Sequence, residues 1–272
     1  MDSGLIDIHS HILYGVDDGA SSREVSIEML GEAARQGVTD IIATPHYRQG
    51  MFSYPPKKIV SHYQELRREA HKVGIRLSLG CEYFVDGDIY ENLEKGRVPT
   101  LAGTRYVLTE YAPDAAYSMV QMFSQNLLRQ GYIPVIAHVE RIRNLVSHPE
   151  YIRELSSMGA LIQVNAGGVL GKGGLSRQRF LLKLLKDGLV DLASNIDEFR
   201  KEWLVFGFLG MLGDLVLDGW LSQRFTNNSS PGYRFRDSMP PGMLARCYSA
   251  VPPFQRVFHP LHAHLSADPG RC

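Results

Sequence analysis

Short apolar segments alternate with amphipathic segments over the first 194 residues of the chain. Longer segments between them carry apolar residues at helical spacing, such as SSREVSIEMLGEAARQG, which begins with serine caps and ends at Gly37. Continuous apolar strands alternating with helices are typical of a parallel sheet covered by helices, so the pattern predicts an α/β fold. The predicted strands are the seven segments LIDI, DIIAT, RLSLGCEY, YVLTEY, IPVIAHV, ALIQVN and VDLAS. Seven parallel strands favour a barrel over a small open sheet.

The composition changes after Glu202. Residues 203–272 contain neither Lys nor Glu, whereas the first 202 residues contain 8 Lys and 14 Glu. The same region contains seven of the 14 prolines. We therefore predict a barrel over residues 1–202 and, over residues 203–272, an atypical hydrophobic helix followed by a proline-rich irregular tail.

The apolar stretch at 203–221 is not predicted to insert stably into a membrane. It contains Asp214 and Asp218, whereas a membrane span needs about 20 nearly uncharged residues. No basic segment followed by an apolar run marks a signal peptide. Three scattered cysteines argue against a disulfide framework and fit a reducing compartment, so we expect a cytoplasmic protein. The formal net charge of zero gives no indication of a nucleic-acid partner.

Side chains that can bind metals end successive predicted strands. In a parallel barrel the carboxyl ends of the strands converge on one mouth, so these residues are considered together. Each alone has an ordinary explanation, because a single histidine at a strand end is more often hydrogen-bonded than a ligand. Together, imidazoles and carboxylates form the ligand set for Zn²⁺, Mn²⁺ or Fe²⁺, and a bridging carboxylate holds two ions ~3.5–4 Å apart, as in-line displacement at phosphorus requires. The residues are His9, His11, His46, Glu82, Glu110, His138, Asn195 and Asp197.

Other motifs are weaker candidates. The segment GVLGKGG at 168–174 does not match a Walker loop and is predicted to be a mobile loop. His62, on a predicted helix, is expected to be solvated, and Cys81 is expected to be a core thiol rather than a nucleophile. The second His-x-His motif, HPLHAH at 259–264, lies in the proline-rich tail and is interpreted as a chance occurrence.

Six motifs resemble, in order, those of the PHP (polymerase and histidinol phosphatase) superfamily: IDIHSHILYGVDDG, ATPH, GCEYF, TEY, AHVER and QVNAGGVLGKGG. More narrowly, they resemble the bacterial manganese-dependent tyrosine-protein phosphatases of capsule and exopolysaccharide biosynthesis, over about residues 4–195. The resemblance implies a distorted (β/α)7, TIM-like PHP barrel with two or three metal ions, Mn²⁺ first, with Fe, Zn or Mg as alternatives. It implies as substrate the phosphotyrosine tail of an autophosphorylating bacterial tyrosine kinase.

The resemblance also implies a role for individual residues. Arg141 would hold the phosphate, and Arg141 and Asp197 are the candidate catalytic residues. The metal ligands would be His9, His11, Asp18, His46, Glu82, Glu110 and His138, with Asn195 and Asp197 at the last strand.

The last strand departs from the family pattern. Where the family has ASD-x-H, this chain has ASNID, so Asn195 takes the place of the aspartate and Asp197 that of the histidine. An amide is a poorer ligand than a carboxylate, so we expect one metal to be weakly bound or missing and turnover to be low. The abrupt change beyond this point fits either a shifted reading frame or an unrelated fused tail.

The ligand pattern predicts a metal site, and the resemblance implies a metal-dependent protein-tyrosine phosphatase, with impaired turnover, that regulates capsule or exopolysaccharide synthesis. Two alternatives stay open. One is a PHP phosphatase acting on histidinol phosphate or a similar small phosphoester. The other is a degenerate PHP protein that binds a kinase tail with little turnover.

Overall fold

The computed structural model describes residues 5–52 and 54–194, and strands and helices alternate along them as the pattern predicts. The strands are β1 (Leu5–Ser10), β2 (Val38–Ala43), β3 (His46–Tyr47), β4 (Arg76–Leu79), β5 (Glu82–Phe84), β6 (Tyr106–Glu110), β7 (Ile133–Ile136), β8 (Leu161–Asn165) and β9 (Leu192–Ser194). The helices are α1 (Arg23–Arg35), α2 (Pro56–Lys72), α3 (Ile89–Glu94), α4 (Tyr117–Arg129), α5 (Arg143–Ser147), α6 (Pro149–Met158), α7 (Ala166–Val169) and α8 (Leu175–Lys186).

All strand pairs of the described residues are parallel. The order is β1-β2-β4 in one ladder and β3-β5-β6-β7-β8-β9 in the other. After a short break, β2 is followed by β3 and β4 by β5, so the nine strands correspond to the seven predicted apolar segments. Pro45 causes the first break because it has no N–H to donate to the ladder. Backbone hydrogen bonds from Gly80 to Ala43 (2.8 Å) and from Glu82 to Pro45 (3.2 Å) continue the pairing across the breaks.

The sheet curls around a small apolar cluster. Its buried members include Ile42 on β2, Leu108 on β6 and Val135 on β7. Strands from both edges also reach it, through Ile8 on β1 and Leu192 on β9. Side chains from the two edge strands can meet in one cluster only if the sheet is rolled towards a barrel.

The helices pack on the outside of the curl in two further apolar clusters. One joins α1 and α2 to β1, β2 and β4, and the other joins α4, α6 and α8 to the remaining strands. The sequence sets the limits of α1: the Ser22 side chain accepts a hydrogen bond from Val25 N, and Gly37 follows the helix with a φ of +84°. This arrangement leaves the carboxyl ends of the strands uncovered by the long helices, and the predicted site lies there.

Three secondary predictions have mixed outcomes. The segment 168–174 is not wholly a loop, because α7 extends to Val169 and a run of glycines with positive φ follows. His62 is not simply solvated: its ring stacks on Tyr14 at 3.9 Å, and its Nδ1 lies 2.9 Å from the Tyr14 carbonyl oxygen. The Cys81 thiol is buried, as expected, and that burial raises its pKa well above the ordinary value.

The predictions for the end of the chain lie outside the described residues. These are the hydrophobic helix and proline-rich tail at 203–272, the HPLHAH motif, and the candidate ligands Asn195 and Asp197. No helix between residues 5 and 194 combines the length and apolar character that a membrane crossing requires.

Candidate metal centre

Two imidazoles from β1 and the loop after it meet at the carboxyl end of the sheet. The Nε2 atoms of His9 and His11 lie 3.2 Å apart, and both side chains are buried. Both atoms also face one carboxylate oxygen, Oε2 of Glu82, at 3.2 and 3.1 Å. The His-x-His motif therefore directs two nitrogen donors at one carboxylate.

Glu82 is the centre of the cluster. Its Oε2 also lies 3.0 Å from His46 Nδ1, and its Oε1 lies 2.8 Å from His138 Nε2. Its side chain is 1% exposed. Burial alone would raise the pKa of Glu82, but His9, His11 and His138 outweigh burial and hold that pKa well below the ordinary value.

The solvent side of the cluster is formed by Glu110 and Asp18. Glu110 Oε2 lies 3.5 Å from His46 Nδ1, and Glu110 Oε1 lies 4.0 Å from His138 Nε2. Burial, followed by the charge of Glu82, raises the pKa of Glu110 to about 7 in the metal-free chain. Asp18 Oδ1 lies 3.4 Å from His46 Nε2, but the Asp18 side chain is 67% exposed.

The donors of this cluster fit divalent metal ions. Three overlapping sets place their ligand atoms within 4.8 Å of one another: His9, His11 and Glu82; His11, Asp18 and His46; and His46, Glu82 and Glu110. Among the described residues, Glu82 Oε2, Glu110 Oε2 and His46 Nδ1 are buried without a hydrogen-bond partner. Converging lone pairs of this kind need a cation between them.

His46, His138 and Glu82 have the protonation states that metal ligands need. Desolvation lowers the pKa of His46 and of His138, so both imidazoles stay neutral near pH 7. Glu82 stays ionised for the reason given above. Neutral imidazoles and an ionised carboxylate bind a metal without first losing a proton.

Asp17 orients the His11 imidazole and anchors the backbone of His46. Its Oδ2 accepts a hydrogen bond from His46 N at 3.0 Å and lies 2.9 Å from His11 Nδ1, while its Oδ1 accepts one from Gly19 N. Only glycine fits at position 19, because a Cβ there would come within 2.1 Å of the His11 carbonyl oxygen. The tight turn at VDDG thus brings Asp17 beneath His11. A carboxylate on the other ring nitrogen of a ligand histidine fixes its tautomer.

Gln163 on β8 supports the opposite side of the cluster. It is fully buried, its Oε1 accepts a hydrogen bond from His138 N at 2.6 Å, and the same oxygen lies 3.4 Å from His9 Nδ1. His138 has a φ of +32°, a left-handed conformation that is strained for a residue with a side chain. The Gln163 contact holds this strained turn, which aims the imidazole at Glu82.

The two edge strands meet beside His9. The Ser194 hydroxyl on β9 donates to Asp7 Oδ1, and His9 N lies 3.2 Å from both side-chain oxygens. Ser194 thereby brings the end of β9 to the cluster. The next predicted ligands, Asn195 and Asp197, follow directly in the chain but lie outside the described residues.

Arg141 lies at the exposed rim of the site. It ends a short 3₁₀ turn, Val139–Arg141, that begins immediately after His138. Its positive charge acts on Glu110 and His138. The structure thus brings together His9, His11, His46, Glu82, Glu110 and His138, with Asp18 and Arg141 at the rim.

Sequence reasoning missed two supporting residues. Asp17 lies in the VDDG segment, where only the neighbouring Asp18 is predicted to act, although Asp17 contacts His11 and His46. Gln163 is part of the QVN motif but was given no role. A polar residue within an otherwise apolar strand was the signal for Gln163, since a buried amide needs partners.

The parallel sheet is curled, and a buried cluster of imidazoles and carboxylates lies at the carboxyl ends of its strands. These two features are typical of metal-dependent enzymes with an α/β barrel fold. The family model for capsular polysaccharide synthesis, CpsB/CapC, matches residues 5–198. The chain therefore belongs to the CpsB/CapC family.

Individual relatives agree with this assignment. The chain is 41% identical over 164 residues to the tyrosine-protein phosphatase CpsB of Streptococcus pneumoniae, covering 60% of this chain and 68% of that protein. It is 34% identical over 193 residues to the tyrosine-protein phosphatase YwqE of Bacillus subtilis (strain 168), covering 70% and 76%.

A solved structure shares the fold. It is one of a set of crystal structures of YwqE from Bacillus subtilis and CpsB from Streptococcus pneumoniae. These two proteins are described as unique metal-dependent tyrosine phosphatases. It matches with a TM-score of 0.66 at 33% identity, covering 70% of this chain and 78% of that chain. The predicted family and the predicted barrel fold are confirmed.

Proposed function

We propose that this chain is a metal-dependent protein-tyrosine phosphatase that acts in capsule or exopolysaccharide synthesis. One observation carries the proposal: a single buried carboxylate, Glu82, faces four imidazoles that come from three strand ends, those of β1, β3 and β7. The relatives named tyrosine-protein phosphatases support the choice of substrate class. Metal dependence is described for the structurally matched phosphatases.

We further propose which residues hold the metals. The ligands are His9, His11, Asp18, His46, Glu82, Glu110 and His138, completed by Asn195 and Asp197. Two or three Mn²⁺ ions fit this nitrogen and oxygen donor set, with Fe, Zn or Mg as alternatives, because it contains no thiolate. When bound, such ions polarise the phosphoryl group and lower the pKa of water, supplying a nucleophile near neutral pH.

The chain's own residues position the substrate. Arg141, whose charge acts on Glu110, is proposed to bind non-bridging phosphoryl oxygens through its guanidinium. Asp197 is proposed as a second catalytic residue at the last strand. A phenol is a good leaving group, so the site has little need of a strong general acid.

The proposed substrate is the phosphotyrosine tail of an autophosphorylating bacterial tyrosine kinase, met in the cytoplasm. We propose residues 1–202 as the phosphatase barrel and residues 203–272 as a separate tail. The end of the family match at residue 198 supports this division.

Turnover of a phosphotyrosyl peptide, compared with histidinol phosphate, tests the function. We expect the metal-loaded full chain to hydrolyse the peptide, to prefer it over histidinol phosphate, and to lose activity in a chelator. A preference for histidinol phosphate would favour the small-phosphoester alternative. Binding of the peptide without hydrolysis would favour the degenerate binding protein.

Arg141→Ala tests the assigned phosphate contact. We expect turnover to fall by about 10–100-fold, the value of a charge-assisted hydrogen bond, while metal content stays unchanged. Arg129→Gln is the matched control, because Arg129 ends α4 at the opposite end of the barrel. Loss of metal from Arg141→Ala would contradict the assigned role.

A further inference from the structure

A second row of side chains lies between the metal cluster and the mouth of the barrel, two residues further along the strands. In the sheet, His46 on β3 is paired with Glu82 on β5, and two residues further along Phe84 is paired with Glu110 on β6. Because side chains two residues apart share a face, Phe84 and Glu110 lie on the same face as Glu82 but nearer the mouth. Arg48, two residues after His46, continues this outer row.

Arg48 is held over an aromatic ring. Its guanidinium carbon lies 4.0 Å from the centroid of the Phe84 ring, within cation–π distance. Its charge also acts on Glu110, as does that of Arg141. Among the described residues, no carboxylate forms a salt bridge with Arg48, so its hydrogen-bond donors are not committed to an acidic partner. The charges of two guanidinium groups thus act on the same carboxylate at the rim of the site.

The Phe52 ring covers the imidazole of His46. Its ring stacks on His46 with centroids 4.8 Å apart and an interplanar angle of 3°. The His46 ring also contacts His11 at 4.4 Å, and its Nδ1 points at Glu82. Phe52 is half-buried, and the adjacent Met51 is 61% exposed, so this aromatic ring stands at the edge of the cluster with part of its surface towards solvent.

We propose that Arg48 and Phe52 bind the two halves of an aryl phosphate monoester, such as a phosphotyrosyl side chain. Arg48 donates hydrogen bonds to a non-bridging phosphoryl oxygen, and Phe52 contacts the aromatic ring of the leaving group. An arginine pre-oriented on an aromatic face loses little side-chain entropy on binding an anion. Aromatic pairs contribute beyond the area they bury, which would make the pocket prefer aryl over alkyl phosphates.

This inference rests on the proposed function, since it names the residues that would select phosphotyrosine at that site. It concerns recognition alone and involves no further chemical step. Neither residue is proposed as a metal ligand, so each can be varied while the metal content is measured separately.

The test uses two phosphonates that cannot be hydrolysed, so that leaving-group chemistry does not contribute. Calorimetry on the metal-loaded full chain measures the Kd of phenylphosphonate and of methylphosphonate. We expect Phe52→Leu to weaken phenylphosphonate about two- to tenfold and to leave methylphosphonate unchanged. Phe52→Tyr should keep the preference.

Arg48→Gln should act differently. We expect it to weaken both phosphonates about 10–100-fold and to leave their ratio unchanged, because the guanidinium binds the group they share. Arg48→Lys should restore part of the loss by restoring the charge. Met51→Leu on the same loop and Arg129→Gln at the far end of the barrel are the matched controls, and neither should change either Kd.

Several results would overturn the inference. One is an unchanged ratio of the two Kd values in Phe52→Leu, and another is unchanged binding of both probes in Arg48→Gln. Loss of metal from Phe52→Leu together with equal weakening of both probes would make Phe52 a support for His46 only. The proposed function fails separately, if the unvaried chain binds both probes but does not hydrolyse a phosphotyrosyl peptide.

Discussion

The inner and outer parts of the metal centre are built differently. The inner part consists of His9, His11, Glu82 and His138, whose side chains are at most 6% exposed. In the outer part, Glu110 is 12% exposed and Asp18 67% exposed. The inner donors come from strand ends or the residues next to them, and other buried side chains hold them. Asp18 comes from a loop.

This difference separates two tasks. A buried carboxylate is costly unless opposite charges or cations compensate it. Glu82 therefore fixes the inner geometry, because four imidazoles must stay in contact with it. The exposed donor Asp18 can move with its loop at little cost. We infer that the inner part determines whether metal binds, and that the outer part determines how the last ion and the substrate are held.

The largest effect is expected at the inner centre. Glu82→Gln keeps the shape of the side chain but removes the charge that four imidazoles face. We expect metal content and turnover to fall by more than the roughly 10–100-fold loss typical of an outer hydrogen-bond partner of a metal site. Elemental analysis and phosphotyrosyl-peptide turnover measure this loss.

Thermal unfolding adds an independent readout for Glu82→Gln. Metal that binds only the folded chain raises its Tm by mass action, so the parent chain should gain stability with added metal and the variant should not. Glu94→Gln, at an exposed position in α3, is the control and should behave like the parent. Full metal content in Glu82→Gln would show that the inner part is not the main binding site.

Much of the site could be predicted because strand ends converge in any parallel barrel. His46, Glu82 and Glu110 follow or end separate apolar segments, and the fold alone brings them to one mouth. The breaks at Pro45 and Gly80 could not be predicted from periodicity, since they divide strands without changing their direction.

The contacts that tune the cluster were not predictable. Gln163 lies 154 residues from His9, and its role depends on the register of β8 and on the left-handed turn at His138. The stacking of Phe52 on His46 depends on how the loop after β3 folds back, which no local pattern specifies. Such positions depend on tertiary packing, and sequence spacing carries little information about it.

The next largest effect is expected at Gln163. Gln163→Met keeps the length of the side chain but removes the acceptor for His138 N, leaving a buried donor unpaired in a strained turn. We expect metal affinity to fall by about 10–100-fold. A metal titration monitored by calorimetry measures this, with Gln125→Met at a half-buried position of α4 as control. Unchanged affinity would mean that the β7 turn holds His138 without help from β8.

A gain is expected at the last strand. Asn195→Asp combined with Asp197→His restores the family's ASD-x-H pattern and adds a charged and an imidazole ligand. We expect the occupancy of the weakest metal to rise by about one order of magnitude, with turnover rising in parallel. Metal-to-protein ratio and peptide turnover are the measurements. A gain in metal without a gain in turnover would assign the defect to the tail after residue 202.

The smallest effect is expected at Asp18, where the outer part meets solvent. Its carboxylate lies 3.4 Å from His46 Nε2, but water screens an exposed charge, and such pairs contribute about 0.2–1 kcal/mol. Asp18→Asn should therefore reduce metal affinity by no more than about fivefold, and only for the most weakly bound ion. Competition with a chelator resolves that ion from the inner ones. Asp114→Asn, an exposed acidic residue before α4, is the matched control. A loss at Asp18 as large as that of Glu82→Gln would mean that the two parts of the centre bind metal as one unit, which would contradict the division between them.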